Sequence, residues 1–148
     1  MSSQPRPTDP GKRSYISSGS PWEALAGYSR AVAQGEWVFV SGTVGFDRTA
    51  QAWPESAQAQ AETALDTIEA ALQQAHLQLA DVVRVRVYVP DRADVAAVSA
   101  VLKQRLGAAR PANTTVCCAL AVAEAKVEIE VTALRGSAGG AASDAPGA

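Results

Sequence analysis

Two stretches, Arg110-Pro111-Ala112-Asn113-Thr114-Thr115-Val116 and Lys126-Val127-Glu128-Ile129-Glu130-Val131, decide how the rest of the chain is read. On an extended backbone successive side chains point to opposite faces, so Val127, Ile129 and Val131 enter a core while Lys126, Glu128, Glu130 and Thr132 line the other surface. One strand thereby carries two carboxylates, Glu128 and Glu130, on one face. Pro111 holds Arg110 extended and ends the preceding helix, which makes Ala112 and Asn113 the entrance to a second strand. Polar groups gather where these last strands begin.

Working outward, Val83, Val85, Val87 and Val89 alternate with Arg84, Arg86 and Tyr88 until Pro90, predicting a strand with one apolar face and one basic, aromatic face. Asp91 or Asp94 caps a helix that sets Val95, Val98, Val101, Leu102 and Leu106 on one stripe and ends at Gly107. Earlier in the chain Ala57, Ala61, Ala64, Leu65, Ile68, Leu72 and Ala75 recur at three-to-four spacing, the pattern of an amphipathic helix. Before it, residues 28–32 and 36–41 read as two extended segments joined through Gln34 and Gly35, a hairpin. The order is ββαβαββ, an α+β chain. Right-handed crossovers place both helices on one face of a single mixed sheet. The bare face would carry Arg84, Arg86 and Tyr88 beside apolar groups, so another subunit is expected to cover it, with ligand sites between subunits.

The 148 residues, 47% of them hydrophobic, suit one domain with a sizeable core. That domain is expected at residues 14–136, between flexible tails at 1–13 and 137–148 that lack large apolar side chains. A net charge of −2 gives no broad attraction to nucleic acid or to an anionic membrane. No apolar run reaches membrane-spanning length and Met1 to Ser20 has no secretory core, so a cytoplasmic protein is expected. Cys117 and Cys118 are adjacent and read as small apolar fillers. Trp22, Trp37 and Trp53 read as packing residues, and the lone His76 as a structural residue near a helix end. With one histidine and no spaced cysteines, no metal site is expected.

The segments Gly27-Tyr28-Ser29, Val38-Phe39-Val40-Ser41-Gly42, Asp81-Val82-Val83-Arg84, Val87-Tyr88-Val89, Arg110-Pro111-Ala112 and Val127-Glu128-Ile129-Glu130, in this order, resemble the reactive-intermediate deaminase family, called Rid or YjgF-like. The resemblance runs from about Tyr15 to Arg135. It implies a chorismate-mutase-like fold of the bacillus type, assembled as a homotrimer with three clefts at subunit boundaries. It also implies hydrolysis of amino-acid-derived enamines or imines to a 2-keto acid and ammonia, without a cofactor. In deaminating members an arginine two residues after the motif proline binds the substrate carboxylate; this chain has Asn113 there.

An arginine held to a carboxylate makes charge-assisted hydrogen bonds of about 1.5–3 kcal/mol, against about 0.5–1.5 kcal/mol for a neutral amide. Asn113 therefore implies a neutral substrate or another cation nearby. Arg30, two residues from Tyr28, is the candidate; the competing reading pairs it on the surface with Glu23 or Glu36. Glu128 matches the family carboxylate that orients the hydrolytic water, against a plain solvent-facing strand glutamate. Tyr28 stacks on or hydrogen-bonds a ligand, or is a rim aromatic. Gly42 permits close backbone approach, or is a turn glycine. Thr115 donates a hydroxyl, or only favours β structure. Three functions follow: an imine or enamine hydrolase with a substrate range altered by Asn113, a non-catalytic trimer that binds a small metabolite, and, least favoured by charge, a ribonuclease.

Overall fold

Six strands hydrogen-bond into one sheet in the order β1-β2-β3-β6-β4-β5. They are β1 (Ser14–Ile16), β2 (Ala31–Gln34), β3 (Trp37–Val44), β4 (Val82–Val89), β5 (Ala112–Cys117) and β6 (Glu128–Leu134). The helices are α1 (Pro21–Ala26), α2 (Ala57–Gln74) and α3 (Val95–Leu106). This computed structural model describes residues 11–138; the expected tails fall mostly outside the described residues. Only β4 and β5 pair in parallel, across α3; every other pairing is antiparallel. The α+β class and mixed sheet therefore follow the sequence order, with a three-residue strand and a six-residue helix added in front.

The alternating residues divide the sheet cleanly. Val38, Val40, Val85, Val87, Val89, Ile129 and Val131 are buried beneath α2 and α3. From α2, Leu65, Ile68 and Leu72 have no exposed surface, each contributing roughly 1.5–3 kcal/mol through burial. The opposite face carries Trp37, Phe39, Arg84, Arg86, Tyr88, Glu128 and Glu130, and no helix among the described residues covers it. Among the described residues no helix is long and apolar enough to cross a membrane.

Several local expectations are corrected. The first hairpin strand begins at Ala31 rather than Tyr28, and its turn falls at Gly35 and Glu36, where Gly35 adopts φ 57. In β4, Val82 takes the core position expected of Val83, because a register shift between Val82 and Arg84 moves the alternation by one residue. The α3 stripe is as expected, but Gly107 is right-handed; the left-handed residue after this helix is Arg110, at φ 47. Asp91 accepts a hydrogen bond from Ala93 N and caps the 3-10 turn Arg92–Asp94 that leads into α3. Cys117, Cys118, Trp22 and Trp37 are exposed in the single chain rather than packed inside.

One buried polar residue ties the layers together. Gln60 of α2 donates to Pro54 O at 2.9 Å and Glu124 O at 3.2 Å, and accepts from Lys126 N at 2.7 Å. Its amide thus satisfies the backbone of the segment entering β6 and fixes where Glu128 begins.

Candidate functional site

Between Val40 and Thr43 strand β3 holds one residue more than its partner: Val40 pairs with Val131 and Thr43 with Ile129. The resulting bulge at Ser41 and Gly42 lies beside Glu128, which pairs with Val44. A Cβ on Gly42 would overlap the Glu128 Oε1 atom. The carboxylate therefore rests against bare backbone, an approach only glycine permits.

Arg30 organises this corner from within. It is 6% exposed, and its Nη1 donates to Gly42 O at 2.9 Å and Thr43 Oγ1 at 2.8 Å. Its Nη2 donates to the Tyr28 hydroxyl at 3.3 Å, with the guanidinium 5.6 Å from that ring's centroid. Nε lies 3.9 Å from Glu23 Oε2. Burial pushes the Glu23 carboxyl up, but hydrogen bonds from Ser18 and Ser17, helped by the Arg30 charge, bring it below the ordinary carboxylate range. The pairing with Glu23 is thus inside the protein, not on its surface. Arg30 is committed to the bulge, to Tyr28 and to Glu23, which leaves it poorly placed to meet a substrate carboxylate. Tyr28, 38% exposed, precedes β2 and reaches the site through this bond instead of a shared strand face.

The two carboxylates of β6 differ sharply. Glu130 accepts from the Tyr88 hydroxyl at 2.8 Å and from Arg86 Nη1 at 3.3 Å. Bonding to that carboxylate raises the Tyr88 pKa. Glu128 receives no such bond among the described residues. Partial burial raises its pKa, the Glu130 charge raises it further, and Arg30 offsets part of the rise. A half-buried carboxylate with raised proton affinity and free oxygens is equipped to exchange a proton with a bound molecule or water.

Asn113 and Thr115 lie elsewhere. They pair with Val85 and Val87, both core residues, and so project to the helix side of the sheet, whereas Glu128 projects to the bare side. In register Glu128 stands opposite Tyr88, and Tyr88 opposite Val116. Asn113 is three residues before Val116, so two strand spacings and three residue rises separate it from Glu128, on the order of 14 Å. One chain does not bring them together. Thr115 Oγ1 donates to Asn113 Oδ1 at 3.0 Å, leaving the Asn113 amide nitrogen as donor. These residues line a cleft of about 300 Å³ between α3 and β5. Ser99, Lys103 and Arg110 also line it, and none of the three is picked out as a ligand contact by sequence reasoning. Ser99 and Lys103 are one turn apart on α3, but a helix-face pattern does not reveal which strand that face meets.

The comparisons with known proteins bear on this arrangement. The family model described as Endoribonuclease L-PSP matches residues 19–135. This chain belongs to that family. A relative, the RutC family protein UK114 of Drosophila melanogaster, is 34% identical over 84% of the chain and 91% of its own length. The 2-iminobutanoate/2-iminopropanoate deaminase of Salmonella typhimurium is 32% identical over 76% of the chain and 90% of its own length. Among solved structures, a YjgF/YER057c/UK114 family member from Mycobacterium tuberculosis superposes with TM-score 0.76 at 42% identity, covering 83% of this chain and 99% of that one. The likeness to the Rid or YjgF group read from the sequence is thus confirmed.

Proposed function

We propose that this protein hydrolyses small imines or enamines derived from amino acids, with Glu128 as general base and acid. The observation that carries the reading is the contrast within β6: Glu130 is tied to Tyr88 and Arg86, whereas Glu128 is half-buried, free, and raised in proton affinity against Gly42. Two relatives, from Salmonella typhimurium and Escherichia coli, are named 2-iminobutanoate/2-iminopropanoate deaminases, which supports the reaction class.

In this reading Glu128 takes a proton from water as the oxygen attacks the imine carbon, and the resulting carbinolamine loses ammonia once its nitrogen is protonated. One imine and one water give one carbonyl and one ammonia, so the balance needs no oxidant or cofactor. Tyr28 borders the reacting group and the Gly42 backbone sets the approach of Glu128. Asn113 and Thr115 serve the far end of the ligand from a neighbouring protomer of a cytoplasmic homotrimer. The uncovered face with Trp37 and Phe39, 44% and 49% exposed, is what a partner subunit would bury.

The test generates imines in place with an amino-acid oxidase and follows the protein's competition with semicarbazide for them. Turnover that disappears in Glu128→Gln supports the reading. A trimer that binds 2-keto acids yet leaves semicarbazone formation unchanged favours the non-catalytic metabolite binder, for which Asn113 in the arginine position speaks. A ribonuclease is disfavoured: Arg86 on the bare face is already paired with Glu130, and the chain is acidic.

A further inference from the structure

The cleft between α3 and β5 has a chemistry of its own. Val85, Leu102, Leu106 and Pro111 give it apolar walls; Ser99, Asn113 and Thr115 give it neutral hydrogen-bonding groups; Lys103 and Arg110 give it two cations. Its volume of about 300 Å³ is at the small end for ligand sites. Neighbouring Arg105 is neutralised by Glu62, Asp66 and Glu69. Lys103 and Arg110, by contrast, have no carboxylate within ion-pairing distance among the described residues.

Arg110 also carries backbone strain. It is a non-glycine residue at φ 47 directly before a proline, a conformation held by its own N–H donating to Leu106 O at 3.0 Å. Such strain persists only where the surrounding structure over-determines it, and here it fixes the turn that brings Arg110 to the cleft. The Asn113 amide, oriented by Thr115, adds a neutral donor to the same lining.

We infer that Lys103 and Arg110, with the Asn113 amide, bind the carboxylate of a small aliphatic 2-oxo or 2-imino acid in this cleft, so that this chain replaces one arginine on β5 by two cations from α3 and the turn after it. The inference rests on the proposed imine hydrolysis for the identity of the ligand, and it restores an anionic substrate to a chain that Asn113 alone would assign a neutral one. The apolar walls accept the short tail, and the thin volume excludes bulky side chains.

Calorimetric titration of the full chain with 2-oxobutanoate tests it, with 2-butanone as the uncharged probe. Lys103→Gln and Arg110→Asn, the latter chosen because asparagine tolerates the left-handed backbone, should each weaken 2-oxobutanoate by about tenfold, the worth of one charge-assisted bond. The double variant should lose more than either, Lys103→Arg should retain affinity, and 2-butanone should bind all of them alike. Circular dichroism and elution volume matching the unmodified protein show that the variants fold. Undetectable 2-oxobutanoate binding by the unmodified protein, or a folded double variant within about twofold of it, overturns the inference. Imine turnover, measured beside binding in the unmodified protein, separates the two readings: charge-dependent binding without turnover overturns the deaminase reading and leaves the carboxylate anchor standing.

Discussion

The Glu128 carboxylate lies against the Gly42 backbone at the β3 bulge, where a single added methyl would occupy the space of Oε1. Gly42 has no left-handed φ, so alanine fits the backbone and acts only through this contact. Gly42→Ala should therefore leave thermal stability within a few degrees of the unmodified protein, because the displaced atom ends a flexible side chain. It should lower imine turnover by about a hundredfold, the usual consequence of shifting a reacting group by an ångström. Melting curves and the semicarbazide competition assay measure the two effects.

Arg30 and Glu23 are each 8% exposed at the side chain, and Arg30 also binds Gly42, Thr43 and Tyr28. Removing the cation strands a buried carboxylate and frees the bulge. Arg30→Met should cost roughly 3 kcal/mol in urea unfolding, the range for one broken buried pair. Arg30→Met combined with Glu23→Gln should recover part of that loss, since no unpaired charge remains.

Folding raises the proton affinity of Glu128, burial being the larger cause and Glu130 the next. A carboxyl whose folded pKa exceeds its unfolded value stabilises the fold at pH below the unfolded pKa and loses that contribution as pH rises through the folded one. Glu128→Gln should thus be more stable than the unmodified protein at neutral pH, with the gap closing in acid below the ordinary carboxylate range. Denaturant titrations at several pH values measure the gap. In the active enzyme the acid limb of kcat/KM should fall at a higher pH than an ordinary glutamate gives.

The adjacent carboxylate is the lever on that limb. Glu130 is held by Tyr88 and Arg86 and raises Glu128 through its charge. Glu130→Gln should retain turnover and move the acid limb of kcat/KM to lower pH, while an unmoved limb would assign the rise in Glu128 to burial alone.

Which of these residues sequence could place depended on how local their determinants are. The α2 spacing and the β6 alternation are set by neighbours within a few residues, so Leu65, Ile68, Ile129 and Val131 reach the core as read. The bulge at Gly42 depends on register against β6, and the three residues of β1 are too few for a period. Tyr28, Arg30, Gly42 and Glu128 meet as a group, though through the Arg30 hydrogen bonds and not through a common strand face. Asn113 and Thr115 resisted because all six residues of β5 are exposed, which leaves no apolar alternation to show which face they take. Only their parallel pairing with Val85 and Val87 assigns them to the α3 side.

Since a single chain holds Glu128 and the Asn113 cleft on opposite faces, the central claim is that catalysis joins halves from two protomers. Subunit mixing tests it most directly. Glu128→Gln removes the base from one half, and Thr115→Trp fills the cleft of the other, so each variant alone should be inactive on imines. Unfolding the two together at equal concentration and refolding them should restore roughly one quarter of unmodified activity, the fraction of boundaries that pair an intact base with an intact cleft. A co-refolded mixture that forms trimers yet stays as inactive as its parents would contradict the account.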